Sequence, residues 1–181
     1  HYQNVRGLRT KLTEFGLNTL DAKYQITILT ETWLDNLIPS SLLFDPGYSV
    51  YRCDRSLSNS MHTRGGGALI ACSFLLNTRE LTLPSNSLEQ VWVTVRLSSC
   101  TIFIGTVYIP PNRANDTNTL TSVIESYHGH HRNKHLVTHH RSRIMWQIHH
   151  PRSDPGFWMK LTLAILIKKA RSKTRLTGSS T

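Results

Sequence analysis

The pattern of apolar and polar positions changes character several times along this chain. Residues 2–6 (Tyr-Gln-Asn-Val-Arg) read as a short strand. Leu8, Leu12, Phe15, Leu17 and Leu20 recur near helical spacing and predict a helix over 8–21. Tyr24 to Thr30 is rich in β-branched residues and predicts a strand that ends at Glu31-Thr32-Trp33. Asp45-Pro46-Gly47 marks a turn before a strand over Tyr48–Arg52. Ser56 to Thr63 is polar and loop-like, and Gly65-Gly66-Gly67 leads into the apolar run Ala68 to Cys72. Leu81-Thr82-Leu83 precedes a loop at Pro84. Val91 to Leu97 alternates with the period of two of a half-buried strand. Thr101 to Tyr108 is a further strand, stopped by Pro110-Pro111. Leu120, Val123, Ile124 and Tyr127 then predict a helix.

One early helix among many strands implies an α/β domain with mixed or antiparallel sheets. The periodicity fades after about Tyr127, where eight of the ten histidines fall between His128 and His150. Three regions follow: an ordered 1–127, a His-rich 128–157, and a basic tail over 158–181 expected to lie outside the fold. There is no internal repeat. The 181 residues suffice for one domain with a core, and 39% hydrophobic with 18% charged residues fits a globular chain. The first residue is His1, as expected for a piece of a longer chain or a processed product.

Charge alters this picture mainly at the C-terminal side. Residues 1–125 carry ten Lys/Arg and ten Asp/Glu, whereas residues 126–181 carry eleven Lys/Arg against the single Asp154, so the net +10 resides there. Such a segment is either a solvated basic tail or a surface for nucleic acid or anionic lipid. Cys53, Cys72 and Cys100 lack the paired spacing of a disulfide framework or zinc site. They fit a reducing compartment, nuclear or cytoplasmic. The longest apolar run, Leu161 to Ile167, is too short for a membrane-spanning helix.

Three residues at strand ends could carry chemistry. A carboxylate such as Glu31 can bind a hard divalent cation, the amide of Asn4 can orient it, and the hydroxyl of Tyr108 can donate to a phosphate oxygen. Taken singly, Glu31 reads rather as a solvent-facing strand end. In combination, Tyr2-Gln3-Asn4-Val5-Arg6-Gly7-Leu8 and Leu29-Thr30-Glu31-Thr32-Trp33-Leu34 resemble the endonuclease/exonuclease/phosphatase superfamily, and within it the endonuclease domains of non-LTR retrotransposons. Arg64-Gly65-Gly66-Gly67-Ala68-Leu69-Ile70-Ala71 resembles that family's glycine-rich lead-in to a strand. Val107-Tyr108-Ile109-Pro110-Pro111-Asn112 resembles its tyrosine strand, so the likeness extends over 2–112.

The resemblance implies a four-layer α/β sandwich, here partial, with its C-terminal part missing or disordered. It also implies Mg²⁺-dependent hydrolysis of phosphodiesters in DNA. Asn4 and Glu31 would serve the metal and Tyr108 the scissile phosphate. The family's Gly-Asp-Phe/Tyr-Asn strand is absent. Alignment on Ile144-Met145-Trp146 puts Thr138 and His140 in place of its Asp and Asn. Ser153-Asp154 is followed by Pro155, and the chain contains no Asp-His dipeptide for the family's terminal catalytic pair. The expectation is thus a fragment with an incomplete catalytic set and no small-molecule cofactor. The alternative is a non-enzymatic nucleic-acid or anionic-membrane binder acting through the basic tail. His131, His135 and His139 would share one helix face if 128–140 were helical. That spacing suits Zn²⁺ or Ni²⁺, or is an accident of a His-rich stretch.

Overall fold

The computed structural model describes residues 1–56, 65–84, 86–98, 100–109, 116, 118–123 and 161–170, with Cys100 and 161–170 taken at the backbone level. Two four-stranded sheets and few helices give the chain a mixed α/β content. One sheet has the order β1 (Tyr2–Asn4), β2 (Ile26–Thr30), β4 (Ala68–Ser73), β3 (Tyr48–Cys53). Only β1 and β2 in it run parallel. The other sheet is antiparallel throughout, in the order β5 (Asn77–Glu80), β6 (Glu89–Arg96), β7 (Cys100–Ile109), β8 (Leu161–Ala170).

Strand alternation creates the layers. Val91, Val93 and Val95 of β6 and Ile104 of β7 meet Ala68, Ile70 and Cys72 of β4 in the space between the sheets. The neighbouring positions Leu29, Leu69 and Ala71 point to the other face of the first sheet, where Phe15 and Leu12 of helix α1 (Leu12–Ala22) cover them. On the far side of the second sheet, Trp92 and Val107 pack with Leu120 from helical residues 118–123. β4 is covered on both faces. Its continuous run Ala68–Cys72 is fully buried, the pattern of a central strand.

The structure differs from the sequence pattern in instructive places. The helix begins at Leu12 rather than Leu8, because the Leu8 amide donates to the Thr32 carbonyl (2.9 Å) and so belongs to a loop contact. Leu8 itself is a core residue, while Leu17 and Leu20 face outward. Lys23 closes the helix in a left-handed conformation, its amide bonded to Thr19 O at 3.2 Å. β5 has no apolar alternation to announce it, being a polar edge strand read only from its pairing with β6. Leu161–Ala170, placed by the sequence reading in a tail outside the fold, lies antiparallel to β7 over ten register positions. Among the described residues no helix is long and apolar enough to cross a membrane.

Candidate functional site

Topology gathers the polar strand ends on one edge of the two-sheet stack. β1 and β2 are parallel, so Asn4 and Glu31 leave their strands on the same side. β4 is antiparallel to β2, so Gly65–Gly67 enter there. In the second sheet Glu89, at the start of β6, is the register partner of Tyr108, near the end of β7. Segments distant in sequence thereby converge on one polar cluster.

Glu31 is the centre of it. Its residue exposure is 1%, which excludes a solvent-facing strand end. Its Oε2 accepts the indole Nε1–H of Trp33 at 2.6 Å, and its carboxylate is hydrogen-bonded with the Tyr108 hydroxyl. Burial, reinforced by that carboxylate, holds the Tyr108 hydroxyl well above the ordinary tyrosine range. The Arg55 guanidinium, hydrogen-bonded to the same hydroxyl and 5.3 Å from the centre of its ring, acts in the opposite direction without cancelling the rise. Tyr108 therefore stays a protonated donor throughout the neutral range.

Arg55 is in turn fixed by Glu89. Its Nε donates to Glu89 Oε1 at 2.7 Å, and the Gly67 amide donates to Oε2 at 2.6 Å. The two side chains are 8% and 2% exposed, so this is a buried ion pair. Gly66 has φ +62, and a Cβ there would overlap Glu89 Oε2 and the Arg55 guanidinium. The glycine run thus provides both a left-handed turn and room for the ion pair.

The backbone around Glu31 is unusual as well. Four described non-glycine residues have positive φ: Arg6, Lys23, Glu31 and Trp33. Lys23 is the helix cap. The other three sit in the loops after β1 and β2, facing Gly7 and Gly65–Gly67, which also have positive φ. Gly7 N–H bonds Glu31 O at 2.7 Å and Trp33 N–H bonds Gly66 O at 3.0 Å, which laces the loops together. Each left-handed non-glycine residue costs on the order of 1–3 kcal/mol and persists only where surroundings impose it; such strain concentrates at functional sites.

The three residues singled out by sequence are not equally engaged. Glu31 and Tyr108 are brought into contact. Asn4 lies on the adjacent strand, half-buried, and its Oδ1 accepts the Arg6 amide at 3.3 Å in its own loop. Thr138, His140, Ser153, Asp154, His131, His135 and His139 lie outside the described residues. Sequence reasoning missed Arg55 and Glu89, which are 34 positions apart, and Trp33, which stood within the Glu31 motif. The signal available for Glu89 was a carboxylate just before the alternating run that begins at Val91.

Asn4 and Glu31 offer an all-oxygen donor set with one carboxylate. Magnesium takes such ligands and commonly keeps several waters. Among the described residues no group of three or more His, Cys, Asp and Glu could hold an ion by protein ligands alone. Glu31, with Asn4, could serve a cation that keeps most of its waters. No family model matches this sequence, and no curated protein matches it.

Proposed function

We propose that this chain carries the front part of a Mg²⁺-dependent DNA endonuclease domain of the endonuclease/exonuclease/phosphatase type, as found in non-LTR retrotransposons, and that alone it does not turn over phosphodiesters. The observation that carries the reading is the buried Glu31–Tyr108 pair at the sheet ends. The order of layers among the described residues, α1, sheet, sheet and helical 118–123, supports a partial four-layer sandwich.

In this reading Glu31 and Asn4 would hold a Mg²⁺ ion, whose chemistry would be countercharge to a phosphate. Tyr108, kept protonated by burial, donates to a phosphate oxygen. Arg55 and Glu89 keep that phenol in place. What the sequence lacks is the family's Asp and Asn on the Gly-Asp-Phe/Tyr-Asn strand and its terminal Asp-His pair. Those groups orient and deprotonate water. Their absence removes general-base and electrostatic contributions of about 10²-fold or more each.

Two measurements test this. Mn²⁺, used as a paramagnetic stand-in for Mg²⁺, is expected to bind the wild type and to be lost in Glu31→Gln. Supercoiled plasmid with Mg²⁺ is expected to be nicked no faster by the wild type than by Glu31→Ala. Nicking that depends on Glu31 would overturn the inactive part of the proposal, and a wild type that binds no Mn²⁺ would overturn the metal part.

The segregated charge supports a second reading, a binder acting through residues 126–181, where the whole +10 lies. It requires affinity for duplex DNA, or for vesicles containing phosphatidylserine, that falls steeply with salt and is unaffected by Glu31→Ala.

A further inference from the structure

Trp33 is held more tightly than its surroundings alone require. It has a left-handed backbone (φ +55) one residue beyond Thr32, itself next to the equally left-handed Glu31 (φ +58). Its amide is tied to Gly66 O, and its carbonyl accepts Arg9 Nε at 2.6 Å. Its six-membered ring lies against Gly7, where an added Cβ would come within 2.6 Å of Cε3. Contacts from the loop after β1 and from the glycine loop thus fix a residue that remains 41% exposed. A residue kept only for packing would be expected to bury more of itself. What the fixation achieves is directional: the single N–H of the ring points at Glu31 Oε2 from 2.6 Å.

We infer that Trp33 is a positioning residue, whose indole N–H occupies one oxygen of Glu31 and so sets the carboxylate in its orientation toward Tyr108 and toward a bound cation. The cation half of this rests on the reading of Glu31 as a metal-holding carboxylate; the Tyr108 half does not. A buried carboxylate with a free rotor can turn either oxygen to the metal. With Oε2 taken by Trp33, the metal meets a carboxylate already turned, and the rotational freedom lost on binding is smaller. The N–H is neutral and adds no charge of its own beside the carboxyl group.

The experiment uses the full chain and Trp33→Phe, which keeps an aromatic ring and removes the donor. Three readouts are taken: the Mn²⁺ dissociation constant, the ring signals of Tyr108 by NMR, and the indole N–H cross-peaks of the four tryptophans. The peak lost in Trp33→Phe identifies Trp33. That peak is expected to move in Glu31→Ala, a variant that leaves the indole and its ring N–H in place. In Trp33→Phe the Tyr108 ring signals are expected to shift as they do in Glu31→Ala. Mn²⁺ is expected to bind about tenfold more weakly, the usual scale for loss of a hydrogen-bonding partner behind a metal ligand.

A structural role alone would lower the unfolding midpoint and leave both the Mn²⁺ constant and the Tyr108 signals in place; that result overturns the inference. A Trp33 indole peak unmoved by Glu31→Ala overturns it too. If the wild type takes up no Mn²⁺, the metal role of Glu31 fails, and the inference is then decided by the Tyr108 and indole signals without metal.

Discussion

Burying Arg55 and Glu89 removes both charges from water, a cost offset by their mutual attraction in an ion pair at 2.7 Å and by a backbone amide on Glu89 at 2.6 Å. Removing one partner leaves the other charged and buried. Glu89→Ala is therefore expected to lower stability by about 3–5 kcal/mol in urea unfolding, and to loosen the Tyr108 ring that Arg55 overlies. A loss below about 1 kcal/mol would mean that the pair behaves like a surface salt bridge. Cys72 gives a prediction in pH. Burial pushes its thiol up to about 11 from an ordinary value of 9.0. Above about pH 9 the unfolded chain releases this proton while the folded chain keeps it. Stability is thus fully present below pH 9 and lost as pH rises through about 11. The stability gap between wild type and Cys72→Ala, measured by urea at pH 8 and pH 11, is expected to change by about 2 kcal/mol against the wild type. A gap that does not vary with pH would show that the thiol titrates alike in both states. At this scale the sequence was partly legible. Glu31 and Tyr108 stood out only in combination with the motifs around them, since a polar residue at the end of an apolar strand, taken singly, reads as a solvent-facing strand end. Arg55 and Glu89 did not, since each reads as an ordinary surface charge until the fold closes the 34 positions between them.

Strands were legible wherever one face alternates and the other is covered. β6 shows this best, with Val91, Val93 and Val95 facing the first sheet and Trp92 facing outward. The same strand depends on a neighbour the pattern does not flag. Trp92 is the register partner of Gly105 on β7, and a Cβ at Gly105 would fall 2.5 Å from Trp92 Cζ3 and closer still to Cε3. The glycine lets the indole lie flat across the strand pair, where its Nε1 donates to Gln90 Oε1 at 2.8 Å. Gly105→Ala is expected to cost about 1–3 kcal/mol by overpacking and to change the fluorescence of Trp92, seen as the difference from a Trp92→Phe background. Unchanged stability would mean that the indole has an alternative rotamer available. Edge elements were the ones not legible. β5 is polar because it sits at a sheet margin, and its strand character comes from pairing with β6 rather than from its own residues. The start of α1 was misplaced for a related reason: Leu8 is apolar at helical spacing, yet its amide is used by the Thr32 carbonyl.

For the whole molecule, the consequential contrast is between a charge-balanced, layered body over residues 1–125 and a basic remainder that still contributes one strand. β8 covers the edge of β7 from Cys100 to Ile109, the strand that carries Tyr108 into the site. Its run of apolar and β-branched residues is what an added strand requires, and the lysines that follow it made the segment resemble a tail. An uncovered edge of this length presents a row of unpaired backbone groups that invite pairing between molecules, and β7, unlike the marginal β8 with Lys168 and Lys169, has no lysine in its sequence to oppose it. A chain ending at residue 160 is therefore expected to self-associate with rising concentration, followed by light scattering at fixed ionic strength, and to unfold at lower urea than the full chain. Salt separates the two causes of association. If loss of charge repulsion drove it, the full chain at high salt would self-associate as well; if the open edge drives it, the full chain remains dispersed and only the shortened chain assembles. A shortened chain that stays monomeric with an unchanged midpoint would place the stability of the second sheet in β5, β6 and β7 alone, and the site edge would then owe nothing to the basic third of the sequence.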